Sequence, residues 1–299
     1  MYPSTTVLLQ GESGTGKEVV ARAIHQLSSR AAYQFVAINC AALPESLLES
    51  ELFGVEAGAF TDAQVSREGY LLRADRGSLL LDEIGSMPLV LQAKLLRFLE
   101  TRIFRPVGST REIHVDLRVI SATNVNLQSA VAHKAFRDDL FYRLKVITIY
   151  LSPLRERPED IEPLVEHFLR FHSVNGEAPP QISPEALDML QRYHWPGNIR
   201  ELRSAIQHGQ IFCNDNLILP KDLPDNVCLA ASSASQRLQD LREQIHLPPE
   251  GIDLLAFLRS IESTFIQEAL ERCSGNQVQA AMLLGLSRDQ LRYRLLSGK

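Results

Sequence analysis

An α/β layer fold with a mostly parallel sheet, followed by a helical segment and a small all-helical C-terminal unit, is predicted by three observations. Up to about Tyr150, short apolar runs at residues 6–10, 35–40 and 78–81 alternate with segments of helical periodicity. From Pro153 onward the apolar pattern is helical only. Near the end, two short helical stretches flank the tight turn Gly285-Leu286-Ser287. The expected boundaries are 1–151 for the α/β part, 152–226 for the helical part, 227–252 for a linker and 253–299 for the terminal unit.

The first element, Thr6-Val7-Leu8-Leu9-Gln10, is β-branched and aliphatic and runs into Gly11-Glu12-Ser13-Gly14-Thr15-Gly16-Lys17-Glu18. Val19, Val20, Ala23 and Ile24 then follow helical spacing, so the stretch reads as strand, loop and helix. Three glycines let backbone N–H groups converge on one point, the helix start adds partial positive charge, and Lys17 reaches a β- or γ-phosphate. Residues 11–18 are therefore a phosphate cradle. Glu18 stands where a Ser or Thr hydroxyl ordinarily meets magnesium, so the metal must lean on another carboxylate.

The next strand ends at Asn39, which either faces the nucleotide or is an ordinary strand-end asparagine. Helical pattern at 46–53 gives way to Gly54-Val55-Glu56-Ala57-Gly58-Ala59-Phe60-Thr61-Asp62-Ala63, where Phe60 is a lone aromatic among small residues. It serves as a contact residue or tucks into the core. Ser78-Leu79-Leu80-Leu81-Asp82-Glu83 is a buried strand ending in paired acids. On a parallel sheet both emerge at the phosphate edge, Asp82 to hold magnesium and Glu83 to deprotonate the attacking water. The plainer role for two such acids is capping the next helix.

Residues 89–100 are amphipathic, and a strand over 115–122 leads to Thr123-Asn124, which puts Asn124 near a γ-phosphate. Arg137 and Arg143, in a charged helix before the last strand, either deliver charge to a neighbouring subunit's phosphate or are simply solvated. Helices follow near 159–173 and 184–193, and His194-Trp195-Pro196-Gly197-Asn198 opens another, whose Arg200 can point back at the nucleotide. Pro220, Pro224 and the Ala/Ser-rich 230–235 mark a boundary. A long amphipathic helix from near Asp253 and a helix over 277–284 precede the turn, after which Arg288, Gln290, Arg292 and Arg294 suit phosphates or base edges. The alternative for this unit is a small bundle for oligomerisation.

Composition sets limits. With 299 residues, 45% hydrophobic, the chain has ample core for two or three pieces. A net charge of −5 argues against coating nucleic acid over the whole surface, whereas the basic C-terminus suits a local DNA contact. No apolar run nears the ~20 residues of a membrane helix and no leader precedes the first strand, so a cytoplasmic protein is expected. Cys40, Cys213, Cys228 and Cys273 lack metal-ligand spacing and are expected to be reduced.

GESGTGKE, ELFGVEAGAFTDA, GSLLLDEIG, FRDDLFYRL, LRERPEDI, WPGNIREL and GNQVQAAMLLGLSRDQLRYRL occur in this order over nearly the whole chain. In them the chain resembles the AAA+ activators of sigma-54 RNA polymerase, the bacterial enhancer-binding proteins, with a Fis-type helix-turn-helix at the end. The resemblance implies an ATPase with an AAA+ sheet and helical lid, using ATP and Mg2+. It makes residues 11–18 Walker A, Asp82 and Glu83 Walker B, Asn124 sensor I and Arg200 sensor II. Arg137 and Arg143 become arginine fingers acting across a hexameric ring, and Asn39 couples Glu83 to the moving loop. Phe60 and Thr61 become the contact with sigma-54, and the terminal helices bind double-stranded enhancer DNA. ATP turnover then moves the loop and remodels the closed promoter complex.

Two departures stand out. The family loop reads GAFTGA, and here Asp62 replaces the second glycine. The first strand lies close to Met1, without the segment that encloses adenine or a regulatory domain in relatives; weak nucleotide affinity, or a gene fragment, is the matching expectation. The readings that compete with the activator are a DNA-binding regulator uncoupled from sigma-54 and an AAA+ remodeller of another partner.

Overall fold

The structure, a computed structural model, describes residues 5–59, 65–171, 179–228, 254–273, 276–284, 286 and 291–292. Two compact units divide the chain, Met1–Ser232 and Ser233–Lys299.

The first unit begins with β1 (Val7–Gln10), α1 (Lys17–Gln26), β2 (Phe35–Asn39), α2 (Glu45–Phe53), α3 (Tyr70–Arg73) and β3 (Ser78–Asp82). It continues with α4 (Leu89–Thr101), β4 (Ile103–Phe104), β5 (Ile113–His114), β6 (Arg118–Thr123), α5 (Leu127–Ala132), α6 (Asp138–Leu144) and β7 (Ile147–Tyr150). Five strands form one sheet in the order β2-β3-β6-β1-β7, every neighbouring pair parallel. Parallel strands need both faces covered, which is why the central ones are buried almost throughout and mostly apolar. Leu8, Leu79, Leu81 and Val119 pack on one face with Leu48, Leu52, Leu91 and Phe98 of the helices. Leu9, Leu80, Ile120 and Ala122 pack on the other, against Ala21 of α1.

Register carries the function. Asn39 pairs with Asp82, Leu81 with Ser121, and Gln10 with both Thr123 and Tyr150. The strand ends are thus level, and the residues just beyond them, Glu83, Asn124 and Gly11, leave the sheet along one edge.

Strand β6 differs from the expected 115–122 span and starts at Arg118. Residues before it are tied elsewhere: Val115 N–H donates to the Arg102 carbonyl, Asp116 N–H to Asp75 Oδ1, and the Asp116 carbonyl accepts from Arg76 N–H. These bonds replace ladder bonds. The small antiparallel pair β4–β5 was also outside the sequence reading.

His25 is buried behind β3, its Nδ1 2.9 Å from Ser78 Oγ. Burial holds its pKa below the ordinary 6.5, against a hydrogen bond to the Tyr33 backbone that pulls upward. The neutral ring therefore contributes stability that is present above pH 6.5 and is lost as pH falls below it. Thermal midpoints recorded between pH 7.5 and 5.5 should fall less in His25→Gln than in the wild type.

The helical segment of this unit comprises α7 (Ile161–Phe171), β8 (Gln181–Ile182), α8 (Pro184–Arg192), α9 (Asn198–Phe212) and β9 (Leu217–Ile218). A 3-10 turn, Pro158–Asp160, occupies the start of the first expected helix, as is common where proline opens a helix. Ser183 caps α8 by accepting from Ala186 N–H. Trp195, fully buried, anchors the core with Leu154, Ile161, Val165, Leu190, Leu202 and Ile206, and its Nε1 donates to the Leu190 carbonyl.

The second unit contains α10 (Leu254–Arg272) and α11 (Gln277–Leu283). Ile266 and Ala269 of α10 close on Ala280 and Ala281 of α11 and on Leu291. The alanines permit close helix approach, so this small unit has a core of its own.

Candidate functional site

The loop after β1 is built for close approach. Gly14 and Gly16 have φ of 80° and 97°, the left-handed region that glycine enters without strain, and Gly16 caps α1. The helical segment supplies partners to three successive loop carbonyls. Ser13 O accepts from Asn198 Nδ2 at 3.0 Å, Gly14 O from Ile199 N–H at 3.0 Å and Thr15 O from Arg157 Nη2 at 3.2 Å. A trans peptide points its N–H opposite its C=O. The N–H groups of Gly14, Thr15 and Gly16 therefore face away from those partners, which is the arrangement an anion requires.

Lys17 is buried, and its Nζ donates to the carbonyls of Gly11 at 2.9 Å and Glu12 at 3.1 Å and lies 3.8 Å from Glu83 Oε1. Glu83 has a left-handed backbone, φ 51°, a conformation that costs an L-residue about 1–2 kcal/mol. Asp82 Oδ1 holds the Glu83 N–H at 3.0 Å, and Glu83 Oε2 accepts from the Asn124 N–H at 3.3 Å. Strain held by specific bonds at a strand end is a mark of function. Lysine, both acids and Asn124 thus share one edge. A cavity of about 270 Å3 opens beside them, lined in part by Gly11, Glu12, Asn124, Lys145 and Tyr150.

Other expected site residues fall at varying distances from this centre. Glu12 turns its carboxylate to Arg155 and Asn198, and Glu18 pairs with Arg22 on the exposed side of α1, so neither carboxylate faces the loop interior. Arg200 Nη1 donates to Ser13 Oγ at 3.1 Å. Asn39 stands beside Asp82, but its Oδ1 accepts from Ala41 N–H, and the structure does not bring it onto Glu83. Arg137 forks onto Asp139, and Arg143 Nη2 donates to the Leu99 carbonyl. Arg292 is exposed. Phe60, Thr61, Asp62, Arg288, Gln290 and Arg294 lie outside the described residues. The near ends of the Phe60 segment are described: Val55 pairs antiparallel with Arg67 and parallel with Val107.

Three arrangements escaped the sequence reading. Arg155, Arg157 and Asn198 converge on the phosphate loop through bonds between segments far apart in sequence, which no local pattern announces. Gln92, fully buried in α4, donates to the carbonyls of Met87 and Ala135 and accepts from the Arg137 N–H, linking the turn after Glu83 to an expected finger. Cys40 sits behind the acids, and burial, with their charges, pushes its thiol up to about 12, so it stays protonated.

Comparison with known proteins follows the same division. Residues 2–150 match the sigma-54 interaction domain, 155–240 the AAA+ ATPase lid domain, and 257–296 the bacterial regulatory protein, Fis family. The sigma54-dependent transcriptional activator SfnR of Pseudomonas putida is 44% identical over 98% of this chain and 81% of its own length. The chain belongs to the sigma-54 activator family. Another relative in that family, the regulatory protein AtoC of Escherichia coli (strain K12), is 48% identical over 97% of this chain and 62% of its own length. NtrX from Brucella abortus, solved in complex with ATP, aligns with a TM-score of 0.67 and 34% identity over 99% of this chain and 64% of that one. The chain therefore spans somewhat less than two thirds of AtoC and NtrX. The five-stranded sheet belongs to an AAA+ domain, followed by a lid domain and a Fis-type helix-turn-helix.

Proposed function

We propose that this chain hydrolyses ATP at the sheet edge and uses the cycle to remodel the sigma-54 RNA polymerase closed complex while bound to DNA. The observation that carries the reading is the phosphate loop, its carbonyls taken by the lid, set beside a strained glutamate. Residues 11–18 hold the phosphates through backbone N–H groups, and Lys17 leaves the loop carbonyls to neutralise their charge. The donors suit Mg2+, which takes one or two carboxylates together with substrate phosphates, and Asp82 is the carboxylate in place. Bound there, the ion supplies neutralisation of the phosphate oxygens. Glu83 takes the proton of the attacking water, and Asn124 and Arg200 orient the phosphate.

Arg137 and Arg143 act in a neighbouring copy of the chain, in a ring of six. Asp139 holds the Arg137 guanidinium until then, and an exposed pair opens readily. Asn39 turns from Ala41 to Glu83 during the cycle and relays its state to the segment of Phe60 and Thr61, which contacts sigma-54. Arg292, with Arg288, Gln290 and Arg294, meets the enhancer DNA.

Capture of purified sigma-54 in the presence of ADP and aluminium fluoride tests this, run alongside Asp62→Gly. Capture by the wild type is the expected result. Capture by Asp62→Gly alone means that the chain is a DNA-binding regulator uncoupled by Asp62. Capture by neither, with ATP turnover intact, points to another partner.

A further inference from the structure

Glu12 is an anion inside a loop for anions, and the structure accounts for it. Its carboxylate is turned out of the loop and receives Arg155 as a fork, Nη1 at 2.8 Å and Nη2 at 2.6 Å, together with Asn198 Nδ2 at 3.2 Å. Asn198 is fully buried with φ 53°, and it is committed at both ends of its amide. Its Oδ1 accepts from the Leu154 N–H at 2.8 Å, while its Nδ2 serves both Glu12 and the Ser13 carbonyl. Arg157 adds the bond to Thr15 O. Contact is close enough to be backbone on backbone, as the Gly14–Ile199 bond shows.

We propose that Glu12, Arg155, Arg157 and Asn198 form a clasp through which the lid holds the phosphate loop in its anion-binding shape, whichever nucleotide is present. The proposal rests on the ATP-site reading above. These four are positioning residues and differ in kind from Arg200, whose guanidinium meets the Ser13 hydroxyl on the open side of the loop. They act on the loop's carbonyls and on Glu12, so they set where the N–H groups point and do not read the γ-phosphate. Losing the clasp thus weakens ATP and ADP by the same factor, whereas losing a phosphate sensor weakens ATP selectively. The clasp also persists at working pH. Arg155, then Asn198, hold the Glu12 carboxyl at about 2, well below its ordinary 4.5, so its contribution is complete above pH 4.5 and lost only as pH falls toward 2.

The test is equilibrium binding of fluorescent ATP and ADP analogues to the full chain carrying Arg155→Met or Asn198→Asp, with turnover measured against nucleotide concentration. Arg155 is 40% exposed, so its removal leaves the fold intact. Asn198→Asp keeps the bond to Leu154 and turns a donor into an acceptor facing Glu12 and Ser13. The expected result is a rise in both dissociation constants by about tenfold, the scale of one charge-assisted pair, with KM following and turnover recovering at saturation. Binding of both analogues as tightly as wild type in Arg155→Met overturns the clasp. So does a loss confined to ATP. If the wild type binds neither analogue, the ATP-site reading falls and takes the clasp with it.

Discussion

Glu83→Gln is expected to lower ATP turnover by about 100- to 10,000-fold, the span of a general base, while ATP affinity stays within about twofold of wild type. The separation follows from the geometry. Glutamine matches glutamate in shape and tolerates the left-handed backbone at position 83 to the same degree, and its amide oxygen still accepts from the Asn124 N–H. Before nucleotide binds, Lys17 still rests on the Gly11 and Glu12 carbonyls, so its reach to the phosphates is unchanged. What is lost is a group able to take a proton from water at the level edge formed by β1, β3 and β6. Phosphate release and analogue binding on the same preparation decide the matter. Turnover equal to wild type would remove Glu83 from the base role, and loss of binding would make it a structural partner of Lys17.

That edge was legible in the sequence because each of its parts is local. The run 78–81 must be a buried strand by its composition, and a strand buried in a parallel sheet delivers the two acids after it to the side where the phosphate loop begins. The glycine loop announces itself by spacing alone. The clasp was not legible, since Glu12 and Arg155 are 143 positions apart and an exposed arginine usually meets only solvent. Nor was Gln92, because a glutamine on an apolar helix gives no sign of which carbonyls it will reach. The pair β4–β5 has two residues in each strand, too few for a period. Residues 115–117 look like strand by composition, yet tertiary bonds from Arg76, Asp75 and Arg102 draw them out of the ladder. Sequence pattern therefore marks what each segment offers the sheet edge, while the long-range polar bonds that hold the edge in shape appear only in the fold.

Gly14→Ala is expected to weaken binding of both ATP and ADP by at least about 100-fold, equivalent to about 3 kcal/mol. Two costs add. At φ 80° an alanine carries the left-handed penalty, on the order of 1 kcal/mol. Its Cβ would also lie 2.3 Å from the Gly197 carbonyl oxygen and 3.2 Å from the Arg200 Cβ. A carbonyl of the main chain cannot swing aside as a flexible side chain can, so lid and loop must part, and the bonds of Ile199, Asn198 and Arg157 to the loop go with them. Gly58→Ala is the control for left-handed strain outside the phosphate loop, since Gly58 has φ 86° and a Cβ there meets nothing within 4 Å. Strain alone at Gly58 should leave nucleotide binding unchanged. If Gly14→Ala binds nucleotide like Gly58→Ala, the lid does not hold the phosphate loop, and the close approach of Gly14 to Gly197 is packing without consequence for the site.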